Sequence, residues 1–375
     1  MRARDYQRAG IYAGVQHFVN RSKEPAIMVF PTGSGKSLIL AKIVRMVNEP
    51  FIIIQPTKEI LEQNIAKFRA AGGEATIYSS ILREKKLSRV MFVTIGSVIN
   101  DFLAFRNIKN VIIDECHCVN PKGGMYDFFL NSINGITCLG LTATPFRLTK
   151  SGKYSISEFL TRQVPSFFKN VIHVTQQQEI RDLGFLCPIE YKTVGEINLN
   201  NVKIKGVEYD ESSLLNEMQR GNIADLIIQE IEEQETQRKH ILVFVEFIKV
   251  LESIVIKKPN VAYITGTTDP DERERMLKMF MSGEIKTLIN VGVLTTGFDF
   301  QQLDTVIVAK ATRSLALWYQ IVGRGQRIHP QKENCLVVDM CKNLHVLGDP
   351  QKIVIKQVNN KWIAFNDKIS TNKIY

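Results

Sequence analysis

Short apolar runs alternate with longer helix-patterned stretches through both halves of the sequence. Ile27–Phe30, Phe51–Ile54, Met91–Thr94, Val111–Ile113 and Cys138–Leu141 read as strands in the first half. Leu38–Val47 and Lys58–Ala70 between them read as helices. Runs that are short and apolar throughout suit strands covered on both faces. Strand–helix alternation then calls for a parallel sheet with helices on both sides. The pattern recurs at Ile241–Val245, Val261–Ile264, Thr287–Asn290, Thr305–Val308 and Leu336–Val338, with Glu272–Phe280 and Leu315–Val322 as helices. The expected fold is therefore α/β, with two tandem domains, each a mostly parallel sheet with helices on both faces. Residues 1–187 are assigned to the first domain and 188–350 to the second. Residues 150–190 are expected to close the first domain, and 191–215 to form an extended crossing or an edge hairpin. Residues 351–375 read either as a basic tail or as a last strand pair, Lys352–Val358 with Trp362–Phe365.

A length of 375 residues suits two or three domains, and a hydrophobic fraction of 45% is enough for sizeable cores. The formal net charge of +10 favours an anionic partner, of which nucleic acid is the commonest. No CxxC pair occurs, and Cys116 and Cys118 flank His117 without a second ligand pair at zinc spacing. Neither disulfides nor structural zinc are expected. No apolar run reaches transmembrane length, and the start, MRARDYQRAG, lacks an apolar signal core. A soluble intracellular protein is expected, in the cytoplasm of a prokaryote or of a virus-infected cell.

The segment Pro31-Thr32-Gly33-Ser34-Gly35-Lys36-Ser37 follows a strand and opens a helix. Glycines let backbone N–H groups turn towards phosphate oxygens, and a helix N-terminus adds donors and a favourable dipole. Thr32, Gly33, Ser34 and Gly35 are thus expected to cradle the phosphates of ATP, Lys36 to reach the β- and γ-phosphates, and Ser37 to bind Mg²⁺. One position departs from the strict GxxxxGK[ST] pattern: Phe30 stands where the first glycine belongs. Asp114 ends the apolar run Val111–Ile113, where its carboxylate is expected to hold the Mg²⁺ shell. Glu115 follows and is the candidate general base. His117 is expected to link this site to the rest of the molecule through the hydroxyls of Thr142 and Thr144.

The second half has no such loop. It offers Thr295-Thr296-Gly297-Phe298-Asp299, whose hydroxyls and N–H groups suit a sugar-phosphate backbone, with Asp299 reaching a ribose or the other domain. It also offers Arg324 and Arg327, three apart, just past a helix. The first half has loop, lysine and acids without an arginine; the second has the arginines. A composite site, with Arg324 and Arg327 stabilising charge on the γ-phosphate, is the economical expectation.

Together these segments resemble a superfamily 2 helicase of the DExH form over about residues 1–345, and most nearly the RadD-like DNA-repair ATPases. LTATPFRL, VLTTGFD and YQIVGRGQRIHP carry that likeness. The resemblance implies two RecA-like domains. It implies that Gln7, within Arg4-Asp5-Tyr6-Gln7, contacts adenine. It implies that Gln55–Glu59, with Thr57 and Lys58, and Thr94–Ser97, with Thr94 and Ser97, hold a nucleic-acid backbone, joined by Thr295. Gln320 falls in the coupling element that ends in Arg327. Two departures stand out: DECH replaces DEAH, and no cysteine-rich C-terminal extension is present.

The expected activity is an ATP-dependent DNA helicase or translocase using ATP and Mg²⁺, with single-stranded or forked DNA as partner and repair, recombination or replication as setting. An ATP-gated clamp that separates no strands, an RNA helicase and the motor of a restriction system stay open at this point.

Overall fold

The computed structural model describes residues 3–133, 135–152, 154–195, 197–294 and 298–373. The chain forms two compact units. Residues 1–147, 158–179 and 354–364 build the first; residues 148–157, 180–353 and 365–375 build the second. Where the sequence reading draws a single linker near 187 and a separate tail, the chain passes between units five times, after 147, 157, 179, 353 and 364.

The first unit is an eight-stranded sheet. Its strands are β1 (Ala26–Val29), β2 (Phe51–Gln55), β3 (Thr76–Ser79), β4 (Glu84–Lys85), β5 (Val90–Thr94), β6 (Asn110–Asp114), β7 (Thr137–Thr142) and, after a hairpin of β8 (Phe146–Ser151) and β9 (Tyr154–Phe159), β10 (Asn170–Val174). The spatial order is β10-β1-β7-β6-β2-β5-β3-β4, parallel except at the β3–β4 edge. β1, β2, β5, β6 and β7 are buried at every position, which is why they read as unbroken apolar runs.

Three helices pack on this sheet and frame the site: α1 (Asp5–Val19), α2 (Lys36–Val47) and α3 (Lys58–Ala70). α1 was not read from the sequence, because its buried face mixes Gln7, Gly10, Gly14 and His17 with Tyr6, Ile11 and Phe18, which interrupts the apolar stripe. Gly10 and Gly14 explain the fit. A Cβ on Gly10 would sit 2.4 Å from the Phe30 ring, and one on Gly14 would sit 2.5 Å from Ile43 Cδ1. Their absence lets α1 lie directly on β1 and α2. It also explains the departure at position 30. Phe30 is fully buried, against α1 and with its ring centroid 4.9 Å from that of His173, so it serves the core rather than the loop.

The second unit holds a six-stranded parallel sheet of β11 (Ile189–Thr193), β14 (Ile241–Val245), β15 (Ala262–Ile264), β16 (Thr287–Val291), β17 (Thr305–Ala309) and β18 (Cys335–Asp339), in the order β11-β18-β17-β14-β16-β15. The polar segment 191–215 is thus neither wholly a crossing nor an edge hairpin. β11 takes an edge of this sheet, a short hairpin of β12 (Ile204–Lys205) and β13 (Glu208–Tyr209) follows, and a helix begins at Glu211. Glu208 ties that hairpin down by accepting from Thr312 Oγ1 and Arg313 N, each at 2.8 Å. Trp318, fully buried, donates from Nε1 to Gly348 O at 3.0 Å and fastens the helix Leu315–Arg324 to the chain after the last sheet strand.

Residues 354–365 form a strand pair, β19 (Val354–Val358) and β20 (Lys361–Phe365). Gln176 grips it within the first unit: its Nε2 donates to Ile355 O at 2.6 Å and its Oε1 accepts from Ile355 N at 3.1 Å. Among the described residues no helix is long and apolar enough to cross a membrane.

Candidate nucleotide site

In the first unit β1, β7, β6 and β2 are neighbours and parallel, so their carboxyl ends share one edge. Open parallel sheets bind ligands at that edge. Residues 31–35 leave β1 there and α2 starts at Lys36. Gly33 and Gly35 have φ of 89° and 84°, a region that side-chain-bearing residues rarely adopt. Ser34 Oγ is buried without a hydrogen-bond partner among the described residues. A buried hydroxyl of that kind suits a ligand rich in acceptor oxygens, as a phosphate is. Thr32 and Gly33 are half-buried in the same turn.

Asp114 and Glu115 arrive from β6. Asp114 accepts from Glu115 N at Oδ1 (3.0 Å) and from Asn64 Nδ2 at Oδ2 (2.8 Å). Burial raises its pKa to about 6; the Glu115 charge adds to the rise, while Lys36 and the two hydrogen bonds oppose it. Glu115 has φ 46° and ψ 51°, a left-handed conformation that costs a non-glycine residue on the order of 1 kcal/mol. The strain turns its carboxylate back on the loop: Oε1 lies 3.7 Å from Lys36 Nζ, and Oε2 lies 3.4 Å from His117 Nδ1.

His117 Nδ1 is also 3.0 Å from Thr142 Oγ1 and 3.3 Å from Thr144 Oγ1, and Thr144 N donates to Thr142 Oγ1 at 3.0 Å. Burial lowers the His117 pKa, with Glu115 pulling the other way. Lys36, Glu115, His117, Thr142 and Thr144 thus form one continuous chain of polar contacts.

Two residues join the site from elsewhere. Gln7, in the first turn of α1, donates from Nε2 to Ser34 O at 2.8 Å and accepts from Arg4 N at 2.9 Å; Tyr6 Oη donates to the same Ser34 carbonyl at 2.9 Å. α1 therefore holds the phosphate loop from outside. Asn64, on α3, escaped the sequence reading. Its Oδ1 accepts from Ser37 Oγ at 2.7 Å, and its Nδ2 donates to Asp114 Oδ2 at 2.8 Å and to Gln55 Oε1 at 2.9 Å. A lone asparagine in a helical stretch reads as a solvated face, and nothing in the primary structure links it to loops 27 residues upstream and 50 residues downstream.

The residues assigned to a nucleic-acid backbone need correction in part. Thr94 and Ser97 are buried and bond each other at 2.7 Å, and Ser97 Oγ accepts from Ser80 N at 2.8 Å. Their hydroxyls are taken up by each other and by Ser80 N instead of standing open at the surface. Thr57 caps α3, accepting from Ile60 N at 3.3 Å; with Lys58 it is only half-buried, so both keep an open side. Thr295 lies outside the described residues.

In the second unit, Asn290 Oδ1 accepts from Val293 N at 2.9 Å and Leu294 N at 2.7 Å and turns the chain after β16. Asp299 Oδ1 lies 2.9 Å from Arg327 Nε, and Arg324 Nη1 donates to Phe298 O. The two arginines and the aspartate, read separately in the sequence, are one cluster. Lys332 closes it from below, donating from Nζ to Gly325 O at 2.6 Å and to Arg327 O at 3.0 Å. Gln320 is half-buried on the helix Leu315–Arg324 that leads into this turn.

The donors fit magnesium. Ser37 Oγ and Asp114 Oδ2 converge on one amide, and a hydroxyl with a carboxylate is the hard oxygen pair that this ion takes beside phosphates and water.

Several known proteins are similar to this chain in sequence or fold. The family described as "Type III restriction enzyme, res subunit" matches residues 1–147, and that described as "Helicase conserved C-terminal domain" matches residues 222–329. A 51.5 kDa protein of a Lactococcus phage (isolate 7-9) is 24% identical over 329 residues, covering 85% of this chain and 66% of the relative. The DNA 3'-5' translocase XPB2 of Sulfurisphaera tokodaii is 24% identical over 361 residues, covering 86% and 77%. The ATP-dependent Type ISP restriction-modification enzyme LlaBIII, solved bound to DNA, shares the fold at a TM-score of 0.64 and 15% identity, over 90% of this chain and 27% of that one. The chain thus spans about two thirds of the phage relative's length.

Proposed function

We propose that this chain, a member of superfamily 2 of the helicases, hydrolyses ATP at the Lys36–Asp114–Glu115 site and uses the cycle to move along DNA. The observation that carries the reading is the contact chain from Lys36 through Glu115 and His117 to Thr142 and Thr144. A binding site alone has no need for a base joined by a histidine to the end of a neighbouring strand.

The residues divide the work as follows. Backbone N–H groups of residues 32–35 and Lys36 bind the phosphates. Ser37 and Asp114 hold magnesium, which when bound neutralises charge on the β- and γ-phosphates. Glu115 orients the attacking water and takes its proton. Gln7 faces the loop from α1 and selects the adenine base. Arg327, steadied by Asp299, meets the charge that builds on the transferring phosphate, an effect worth about 10³- to 10⁵-fold in turnover. His117, Thr142, Thr144 and Gln320 pass the state of the nucleotide onward. Thr57 and Lys58, open at the start of α3, hold the strand's phosphates, together with Thr295.

DNA is favoured over RNA by the Sulfurisphaera relative, a DNA translocase by name, and the +10 charge suits either polymer. ATP turnover measured in parallel with single-stranded DNA, duplex DNA, forked DNA and RNA, beside a strand-displacement assay, tests the reading. Stimulation by DNA that disappears in Lys36→Ala is the expected result. Turnover indifferent to every nucleic acid would sink it. Stimulation without displacement would leave a translocase or clamp in place of an unwinding enzyme.

A further inference from the structure

Asn64 touches three of the elements that the proposed motor must coordinate. Its amide reaches Ser37 from the phosphate loop, Asp114 from β6 and Gln55 from β2, all within 2.9 Å. The polarity of the contacts is fixed by chemistry. A carboxylate only accepts, so the NH₂ group must face Asp114; the carbonyl then faces Ser37, whose hydroxyl donates. Both amide hydrogens are engaged, one on Asp114 and one on Gln55. Flipping the amide would set its carbonyl against the Asp114 carboxylate, two acceptors with no hydrogen between them, so its orientation is determined.

The consequence falls on the two magnesium donors. With its hydrogen committed to Asn64, Ser37 Oγ presents its lone pairs in a set direction. With Oδ2 held by Asn64 and Oδ1 by Glu115 N, the Asp114 carboxylate cannot rotate. Groups that orient metal ligands from behind tune metal affinity by about 10- to 100-fold.

Asn64 also carries a second link. It sits on α3, whose Leu61, Ile65 and Phe68 are buried in the core, so the helix moves as a body. α3 begins at Lys58, with Thr57 as its cap, and follows β2 directly. Any load on that end of the helix reaches the amide through rigid backbone.

We infer that Asn64 is a positioning residue that sets Ser37 and Asp114 for magnesium and makes that setting respond to nucleic acid held at the start of α3. The inference rests on the motor reading above. It adds a route, within the first unit alone, by which strand binding alters metal binding.

Binding, rather than turnover, tests it. A fluorescent non-hydrolysable ATP analogue is titrated with Mg²⁺, with and without single-stranded oligothymidylate, for the full chain and for Asn64→Leu and Asn64→Ser. Wild type is expected to need less Mg²⁺ for half-maximal analogue affinity when the oligonucleotide is present. Both variants are expected to need about 10- to 100-fold more Mg²⁺, and to need the same amount with or without it. Their affinity for the analogue without metal should match wild type, which also shows that they are folded. A variant that keeps the wild-type Mg²⁺ requirement, or that still responds to the oligonucleotide, overturns the inference and leaves the motor reading intact. A wild-type chain whose analogue binding ignores both metal and oligonucleotide overturns the motor reading and the inference with it. Should Asn64→Leu lose metal-free binding through misfolding, the smaller Asn64→Ser decides.

Discussion

Arg327 Nε sits 2.9 Å from Asp299 Oδ1, so the arginine proposed to act on the γ-phosphate is already held by a carboxylate of its own unit. The pair is only a quarter exposed on either side, so solvent screens it less than a surface pair. Arg327→Ala is expected to leave nucleotide affinity within a few-fold of wild type and to lower turnover by about 10³-fold or more. Asp299→Asn should give a smaller loss in turnover, since the arginine remains but is less well aimed. Equilibrium nucleotide binding beside steady-state hydrolysis separates the two. Loss of binding alone in Arg327→Ala would remove the arginine from the chemistry.

Gly35 offers a sharper probe of the loop. Its φ of 84° disfavours any side chain, and a Cβ there would lie 2.7 Å from Gln7 Nε2. Gly35→Ala should therefore dislodge Gln7 from Ser34 O and distort the phosphate turn together. Nucleotide affinity should fall on the order of tenfold or more, at about 1–2 kcal/mol for the backbone term alone. Calorimetric titration with ADP measures it. In Gly35→Ala combined with Gln7→Ala, the loss should be smaller than the sum of the two single losses, because the clash with Gln7 is gone; a full sum would mean that the contact with Gln7 is immaterial.

Much of this arrangement is legible in the sequence. The strands around the site read correctly because each has an apolar centre buried on both faces, and the loop, acids and threonines sit at their ends, where a parallel sheet must place them. What escapes is what depends on distance across the chain. Asn64 has no local signature, since its three partners come from other elements. α1 owes its close fit to two missing side chains, at Gly10 and Gly14, which thin the apolar stripe of Tyr6, Ile11 and Phe18. Thr94 and Ser97 carry the right residue types for a phosphate contact, but the fold turns both hydroxyls inward.

Thr57 has a structural duty besides the proposed grip. Its hydroxyl caps α3, so Thr57→Ala should cost about 1 kcal/mol of stability. Thr57→Ser keeps an acceptor at the same point and should restore it. Chemical denaturation of the three proteins gives the stability term. Affinity for single-stranded DNA, measured in the same set, should follow the hydroxyl; unchanged affinity in Thr57→Ala would confine the residue to capping.

Acid should weaken the fold through its buried histidines. His240 lies between Phe280 and Phe300, at centroid distances of 5.7 and 4.8 Å, and burial lowers its pKa below the ordinary 6.5. The sign follows from which state takes the proton. Above the ordinary value both states are neutral and nothing is lost; as pH falls through it, the unfolded chain binds a proton that the folded chain refuses, and stability drops. His240→Phe removes that proton site while keeping a ring. Between about pH 7.5 and about pH 5.5 its melting temperature should fall less than that of wild type. Parallel curves would show that His240 does not titrate on unfolding.

The strand pair at 354–364, gripped by Gln176, sets an order of events during synthesis. The nucleotide-binding residues are made well before that pair, yet the unit that holds those residues is complete only once residue 364 has been made. The other unit likewise takes residues 148–157 from early in the chain. No single cut yields either half whole, and removing residues 354–375 strips a piece from each.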